Sequence, residues 1–320
     1  FKGRGEDILR RHGPALYAGS VVVVTILLFG ILCPLLVVDW SRTSLLLGVI
    51  NVTIMVVLNF FLVDGLMSET LAERMPPRVL PELDPASSMP AESRAIVYCP
   101  IRLRSESELS FIDTCLIPSM EGNHEGWVRW VIVSGSDPEM QSLESARVRE
   151  LQARFGSDRV SYFHRHPHMR NWERKRGGYM QFMLWLQQGA CADGLLKKDP
   201  RFPSVPPGFV FDEMPPDPAA LRGAEYLLMS DSDTLWPRNS MRRLVGKLLH
   251  PANREYVILQ TDIRPYNGNE SVLNSAYSFF KDLFSRRGEG FWLIFRHLTF
   301  FGHGAVWRID RFLDCMAERM

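Results

Sequence analysis

The sequence lacks a cysteine framework. Its five cysteines, Cys33, Cys99, Cys115, Cys191 and Cys315, are odd in number, widely scattered and free of any C-x-x-C pair. That excludes a disulfide-stapled scaffold and a structural zinc site, and leaves reduced thiols in a cytosol-facing domain as the plain expectation. Charge of one sign is lacking too. The 37 Lys and Arg against 36 Asp and Glu give a formal net charge of +1, with no overall pull toward nucleic acid. There is no basic stripe interleaved with aromatics, no zinc-knuckle spacing and no RNP-like run, so nucleic acid is not an expected partner. No internal repeat is visible. The 320 residues suffice for one large domain with extras or for two ordinary ones. A hydrophobic share of 46% beside 23% charged residues excludes a disordered chain and fits a globular protein with an apolar attachment. Phe1 is not an initiator Met and Met320 closes no recognisable unit, so the chain reads as a piece of something longer at both ends.

Long apolar runs are present, by contrast. Residues 15–38 are almost wholly apolar, with Pro34 the only strong breaker, and residues 44–63 form a second run interrupted by Asn51 and Asn59. Each is about the length needed to cross a hydrocarbon core of roughly 30 Å. The first run is too long for a cleaved signal peptide, and the second follows at once. The link Asp39-Trp40-Ser41-Arg42-Thr43 suits a tight helical hairpin with Trp40 at the interface. Lys2, Arg4, Arg10 and Arg11 precede the first run while the link carries only Arg42. The positive-inside bias therefore expects the N-terminus and everything after Val63 in the cytoplasm, with the chain in the inner membrane.

Residues 1–74 thus read as a cytoplasmic stub with two transmembrane helices, and the proline-rich residues 75–92 as a linker. From residue 93 to residue 320 the pattern becomes strand, loop and helix, repeated. Strands are expected at 95–99, 127–133, 159–163, 225–229 and 256–261, and helices at 106–116, 140–154, 178–188, 240–249 and 272–284. This alternation predicts an α/β domain with a mostly parallel sheet. Residues 197–222, rich in proline, read as a long surface insertion. In such a sheet ligands bind in the loops after the strands.

The most informative stretch is Tyr226-Leu227-Leu228-Met229-Ser230-Asp231-Ser232-Asp233. An apolar strand running into D-x-D sets two carboxylates at its C-terminal end, where hard oxygen ligands suit Mg²⁺ or Mn²⁺ bridging a diphosphate. The competing reading is an ordinary turn, with an Asp capping the helix after Pro237. Residues 164–178 pack three His and several Arg and Lys before a Gly-Gly that opens a helix, a composition suited to a phosphate-bearing ligand. The alternation His164, His166, His168 fits either a metal site on one strand face or a solvated basic loop. The Gly302-His303-Gly304 loop allows a sugar or nucleotide to approach the backbone, or is a structural turn.

Taken in order, these motifs resemble family 2 glycosyltransferases with the GT-A fold, a Rossmann-like mixed, mostly parallel sheet. Among them the likeness is greatest to the membrane glucosyltransferases that build periplasmic glucan backbones, and it runs from about Ile96 to Phe312. The family's Pro and acidic residue after the first strand are matched by Pro100 and Glu106. Its Arg-Lys-x-Gly-Asn is matched by Arg174, Lys175 and Gly177, with Gly178 in place of the Asn. Its D-x-D is matched by Asp231 and Asp233, and its Gln after the next strand by Gln260. Its Trp-Gly-His-Asn-Ala-x-x-Arg loop is matched by Phe301, Gly302, His303, Gly304, Ala305 and Arg308. Gly135 stands where the family has an Asp that contacts uracil, and Asp137 is the residue placed to take over that contact.

The resemblance implies an inverting transfer of glucose from UDP-glucose to a growing glucan or lipid-linked acceptor. Pro100, Glu106, Asp137, Arg174, Lys175, Gly177 and Asp231 would bind the donor, and Gln260, Gly302 and His303 the acceptor. Asp231 and Asp233 would hold the Mg²⁺ or Mn²⁺. The family's catalytic base lies downstream of the Gly-His loop and is expected beyond Met320, the domain being cut short at that end. Two other readings remain open from the sequence. One is a catalytically silent membrane scaffold that binds nucleotide sugar. The other is a haloacid-dehalogenase-type phosphatase, whose D-x-D normally ends the first strand of its domain.

Overall fold

A computed structural model describes residues 94–165, 174–188, 195–196, 208–209, 211–213, 221, 223–265, 270–283 and 302–317, together with 80–85 and isolated positions between 15 and 65. The chain divides into two compact units. The first comprises Phe1–Val79 and Arg264–Thr299, the second Leu80–Ile263 and Phe300–Met320.

In the first unit the two apolar runs lie mostly outside the described residues. Those of their positions that are described, such as Val22, Leu27, Val49 and Phe61, are helical and carry exposed apolar side chains. Among the described residues no helix is long and apolar enough to cross a membrane. The expected hairpin therefore gains no support as a pair of continuous spans.

The second unit is built on strands β1 (Arg94–Ile101), β2 (Val128–Ser134), β3 (Val160–Arg165), β6 (Phe211–Glu213), β7 (Ala224–Met229), β8 (Ile258–Gln260) and β9 (Ala305–Arg308). They form one seven-stranded sheet in the order β6-β3-β2-β1-β7-β9-β8. A separate two-stranded ladder pairs β4 (Leu195–Leu196) with β5 (Gly208–Phe209). The β3–β2–β1–β7 block is parallel throughout, while β6 and β9 run antiparallel to their neighbours. Helices α1 (Ile117–Gly122), α2 (Pro138–Phe155), α3 (Arg174–Gln188), α4 (Ser240–Leu249) and α6 (Ile309–Ala317) belong to this unit, and α5 (Val272–Leu283) to the first.

Both faces of the sheet are covered, which is why β1 reads as an unbroken apolar run rather than an alternation. Ala95, Val97 and Cys99 pack with Ile112, Leu116, Val148, Leu151, Val245 and Leu248. Ile96 and Tyr98 point the other way, among Tyr179, Phe182, Met183 and Phe312. Period-two alternation along the strand thus feeds two cores, one on each face. On the second face Phe163, Phe182, Trp185 and Phe211 make edge-on and stacked contacts with centroids 4.9–6.3 Å apart.

Four sequence expectations need correction. The segment expected as one helix over 106–116 is a 3-10 turn (Glu106–Leu109) and a π-helical turn (Ile112–Leu116) that lead into α1. Pro118 sits in the first turn of α1, where its missing N–H is tolerated. The helix expected from Gly178 already includes Arg174, Lys175 and Arg176, which were expected in the loop before it. The proline-rich stretch read as a surface insertion contributes β6, a three-residue strand at the edge of the sheet, paired antiparallel with β3. The residues after the Gly-His loop form β9, an interior strand of only four residues, too short to announce itself by periodicity.

Candidate functional site

Because β1, β2, β3 and β7 are parallel, their C-terminal ends share one edge of the sheet. The chain winds outward from β1 through β2 to β3 and then returns to the other side of β1 as β7. That reversal is the switch point at which open α/β sheets form a crevice. A cleft of about 360 Å³ lies there, lined among others by Pro100, Arg102, Gly135, Arg165, Lys175 and Asp231. Asp233 and Gly178 also line it.

The antiparallel pairing of β9 with β7 brings the third motif to the same edge. Met229 pairs with Ala305, so the start of β9 meets the end of β7. Gly304 N donates to Met229 O at 2.7 Å. His303 Nδ1 consequently lies 3.4 Å from Asp231 Oδ2, while the other carboxylate oxygen of Asp231 is ion-paired with Lys175 Nζ. Lys175 also stands 5.9 Å from the ring centroid of Tyr179. One turn along α3, the buried Tyr179 hydroxyl donates to Gly302 O at 3.0 Å. Three motifs far apart in sequence therefore converge on Asp231.

The D-x-D turn is itself fixed. Ser230 N donates to Tyr98 O, Asp231 N to Thr234 Oγ1, and Thr234 N back to Asp231 O. Buried Trp236 donates from its indole to Ser230 Oγ at 2.9 Å and from its backbone N to Ser119 Oγ at 2.8 Å. Helix α4 starts at Ser240 with Asn239 at its cap, so neither aspartate caps it. Asp231 is partly buried and Asp233 exposed, an arrangement that leaves one carboxylate anchored and one open to the cleft.

The Gly-His loop is held by Gln260, whose side-chain amide donates to His303 O and Gly304 O, both at 3.0 Å. Thr261 adds its backbone N and its hydroxyl to Gly304 O. Gly304 has φ 64°, a left-handed conformation that favours glycine. Arg308, the last residue of the loop motif, points away from the cleft and donates to Leu248 O and Tyr256 O. Gln260 and Arg308 thus brace the loop and β9.

Not every expected residue reaches the cleft. Glu106 is exposed on the 3-10 turn and Asp137 is exposed at the start of α2, and neither lines it. Gly177 is buried in α3, and its neighbour Gly178 is the one at the cleft wall. A Cβ on Gly178 would stand 2.8 Å from the Tyr98 hydroxyl, so the absence of a side chain there keeps the wall open. Arg174 begins α3, and its side chain lies outside the described residues. Of the histidine alternation, His164 is buried within β3 with Nε2 3.4 Å from Ser136 O, and His166 and His168 lie outside the described residues.

Two charged residues that line the cleft were not singled out from the sequence. Arg165 is buried at the end of β3, with Nε donating to Gln181 Oε1 at 2.9 Å. Burial pushes its guanidinium below the ordinary value, Tyr98 offsetting this in part and Arg102 adding repulsion. A basic residue ending a strand was the available signal. Arg102, at the β1 end, is exposed. Burial, with the charges of Asp231 and Asp233 and against the pull of Lys175, raises Cys99 well above the ordinary thiol range, which disfavours its thiolate.

Among the described residues no group of three or more His, Cys, Asp and Glu is gathered as a metal site. The two carboxylates of the D-x-D turn offer oxygen donors, the ligand type that hard divalent cations take. The chain matches no protein-family model and none of the curated proteins.

Proposed function

We propose that this chain is a membrane-anchored, inverting glycosyltransferase of the family 2, GT-A type, using UDP-glucose as donor to extend a glucan. The observation that carries the reading is the convergence of Asp231, Lys175 and His303 at the C-terminal edge of a parallel sheet, with Asp233 open to the cleft. Motif order alone had suggested it, and this convergence is what such a reaction needs at one point. Cations and carboxylates meet where a nucleoside diphosphate would lie, and a histidine loop closes the same edge.

Asp231 and Asp233 would hold Mg²⁺ or Mn²⁺, which when bound neutralises the charge of the departing diphosphate. Lys175, on α3, adds a positive charge beside Asp231. Gly178 and Gly135 keep the cleft walls low enough for a nucleotide to enter. Gly302 and His303 present backbone and imidazole toward the acceptor side, and Gln260 keeps them in place. Inversion requires one displacement, in which a carboxylate takes the proton of the attacking hydroxyl. Asp231, already engaged by Lys175, is not assigned that role.

The phosphatase alternative is disfavoured by topology, since the D-x-D turn follows β7 and not the first strand of the sheet. Membrane attachment is supported by the exposed Val22, Ile26, Leu27, Ile54 and Phe61 on helical residues of both apolar runs. The inner membrane, with the α/β domain on the cytoplasmic face, suits a donor that is made in the cytoplasm.

The test is titration calorimetry of the purified chain with UDP, with and without Mn²⁺. Metal-dependent binding that is lost in Asp233→Ala supports the proposal. Absence of UDP binding under both conditions, or metal-dependent hydrolysis of a phosphate monoester without nucleotide sugar, overturns it.

A further inference from the structure

Glu144 is a carboxylate with no exposed surface, on α2 behind the cleft wall and outside the site described above. Its Oε2 accepts from Ser136 Oγ at 2.5 Å and its Oε1 from the Tyr162 hydroxyl at 2.9 Å. Ser136 Oγ in turn accepts from Leu103 N at 2.8 Å, and Ser136 N donates to Ser134 Oγ at 3.0 Å. Gly135 N completes the set by donating to Ile101 O at 2.9 Å. These bonds run in one direction. The Leu103 amide donates to Ser136, whose hydroxyl proton is thereby directed to Glu144.

The turn fixed in this way, residues 134–137, follows β2 and carries Gly135 into the cleft wall beside Ile101. We infer that Glu144 is a positioning residue for the cleft: it sets the β2 turn against the β1 end from behind, through Ser136, and so fixes the wall against which a ligand packs. A carboxylate is required because both oxygens must accept. Glutamine offers one acceptor oxygen and one N–H₂ of nearly equal size, so it cannot receive protons from Ser136 and Tyr162 together. A buried network with one unmatched member relaxes at its weakest edge, here the solvent-facing turn. The inference rests on the donor-cleft reading only for what the wall contacts.

The experiment compares Glu144→Gln, Ser136→Ala and Tyr162→Phe in the full chain by hydrogen exchange at the Leu103 and Ser136 amides and by UDP titration with Mn²⁺. Tyr162→Phe removes the second donor to Glu144 and leaves the Ser136 hydroxyl on it. Glu144→Gln and Ser136→Ala are expected to speed exchange at both amides at least ten-fold and to weaken UDP about ten-fold. Tyr162→Phe, which keeps the bond from Ser136 to Glu144, is expected to change both by less than about three-fold. Unchanged exchange in Glu144→Gln, or the same response in all three variants, overturns the inference. If the unmodified chain binds no UDP while the exchange pattern is as expected, the donor reading fails and the hold on the turn stands. Should Glu144→Gln not fold, Ser136→Ala against Tyr162→Phe makes the same comparison.

Discussion

Replacing Gly304 with alanine perturbs the Gly-His loop in two separable ways. Its φ of 64° lies in the left-handed region, and a Cβ there would stand 2.9 Å from both Ile263 Cγ1 and Thr261 Oγ1. Gly302 supplies the control. Its φ is 83°, yet no atom lies within 4 Å of where its Cβ would be. The left-handed conformation costs an ordinary residue ~1–2 kcal/mol, and forcing a methyl into packed surroundings costs a further ~1–3 kcal/mol. Gly302→Ala is therefore expected to destabilise by about 1–2 kcal/mol, and Gly304→Ala by roughly 2–5 kcal/mol. In a domain of this size each kcal/mol moves Tm by about 2–4 °C, so the two shifts separate into roughly 2–8 °C and roughly 4–20 °C. Thermal unfolding of the purified chain, followed by tryptophan fluorescence, reads both. Equal shifts would show that Thr261 and Ile263 do not confine the loop. A shift under about 1 °C for Gly304→Ala would refute the left-handed conformation itself.

Lys175→Ala should weaken UDP binding about ten-fold while changing stability by less than about 1 kcal/mol, because its pair with Asp231 is part-exposed and screened. Calorimetry and thermal unfolding of the same sample check both halves, and a large loss of stability with unchanged affinity would make Lys175 a structural residue. Glu144 gives a pH dependence whose sign follows from its environment. Burial raises its carboxyl above the ordinary carboxylate value, against the opposing pull of Ser134, Ser136, Tyr162 and His164. Between the unfolded value near 4.5 and the raised folded value, the folded chain holds a proton that the unfolded chain has lost. Stability from this group is thus present at the acid end of that window and falls as pH rises through it. Glu144→Gln should remove that slope, measured by denaturant unfolding at a series of pH values, and a slope unchanged in the variant would refute the assignment.

Much of the second unit could be read from its residues. The runs at β1, β2, β3 and β7 are mostly apolar because both faces of the sheet are covered, and each ends in or is followed by polar or glycine residues that line the cleft. Asp231 just after β7 and Lys175 near the start of α3 were visible for the same reason: local composition changes sharply where a buried element ends. Strands β6 and β9 were not legible. Three or four residues carry no period, and their order comes from pairing partners distant in the chain. Nor did the sequence separate residues that touch the cleft from those that brace it. Gln260, expected on the acceptor side, donates its side-chain N–H₂ to the carbonyls of His303 and Gly304.

The sequence by itself determined the class of the fold and the order of its motifs, since hydrophobic runs, turn residues and charged strand ends are local properties. Tertiary structure decided which of them meet. His303 stands beside Asp231 only because β9 returns antiparallel to β7 in the register Met229–Ala305. Glu144 supports the cleft only because α2 lays it under the β2 turn, where its hydrogen bonds cross three elements. Register and burial are collective, set by the packing of whole elements, and no window of the sequence contains them.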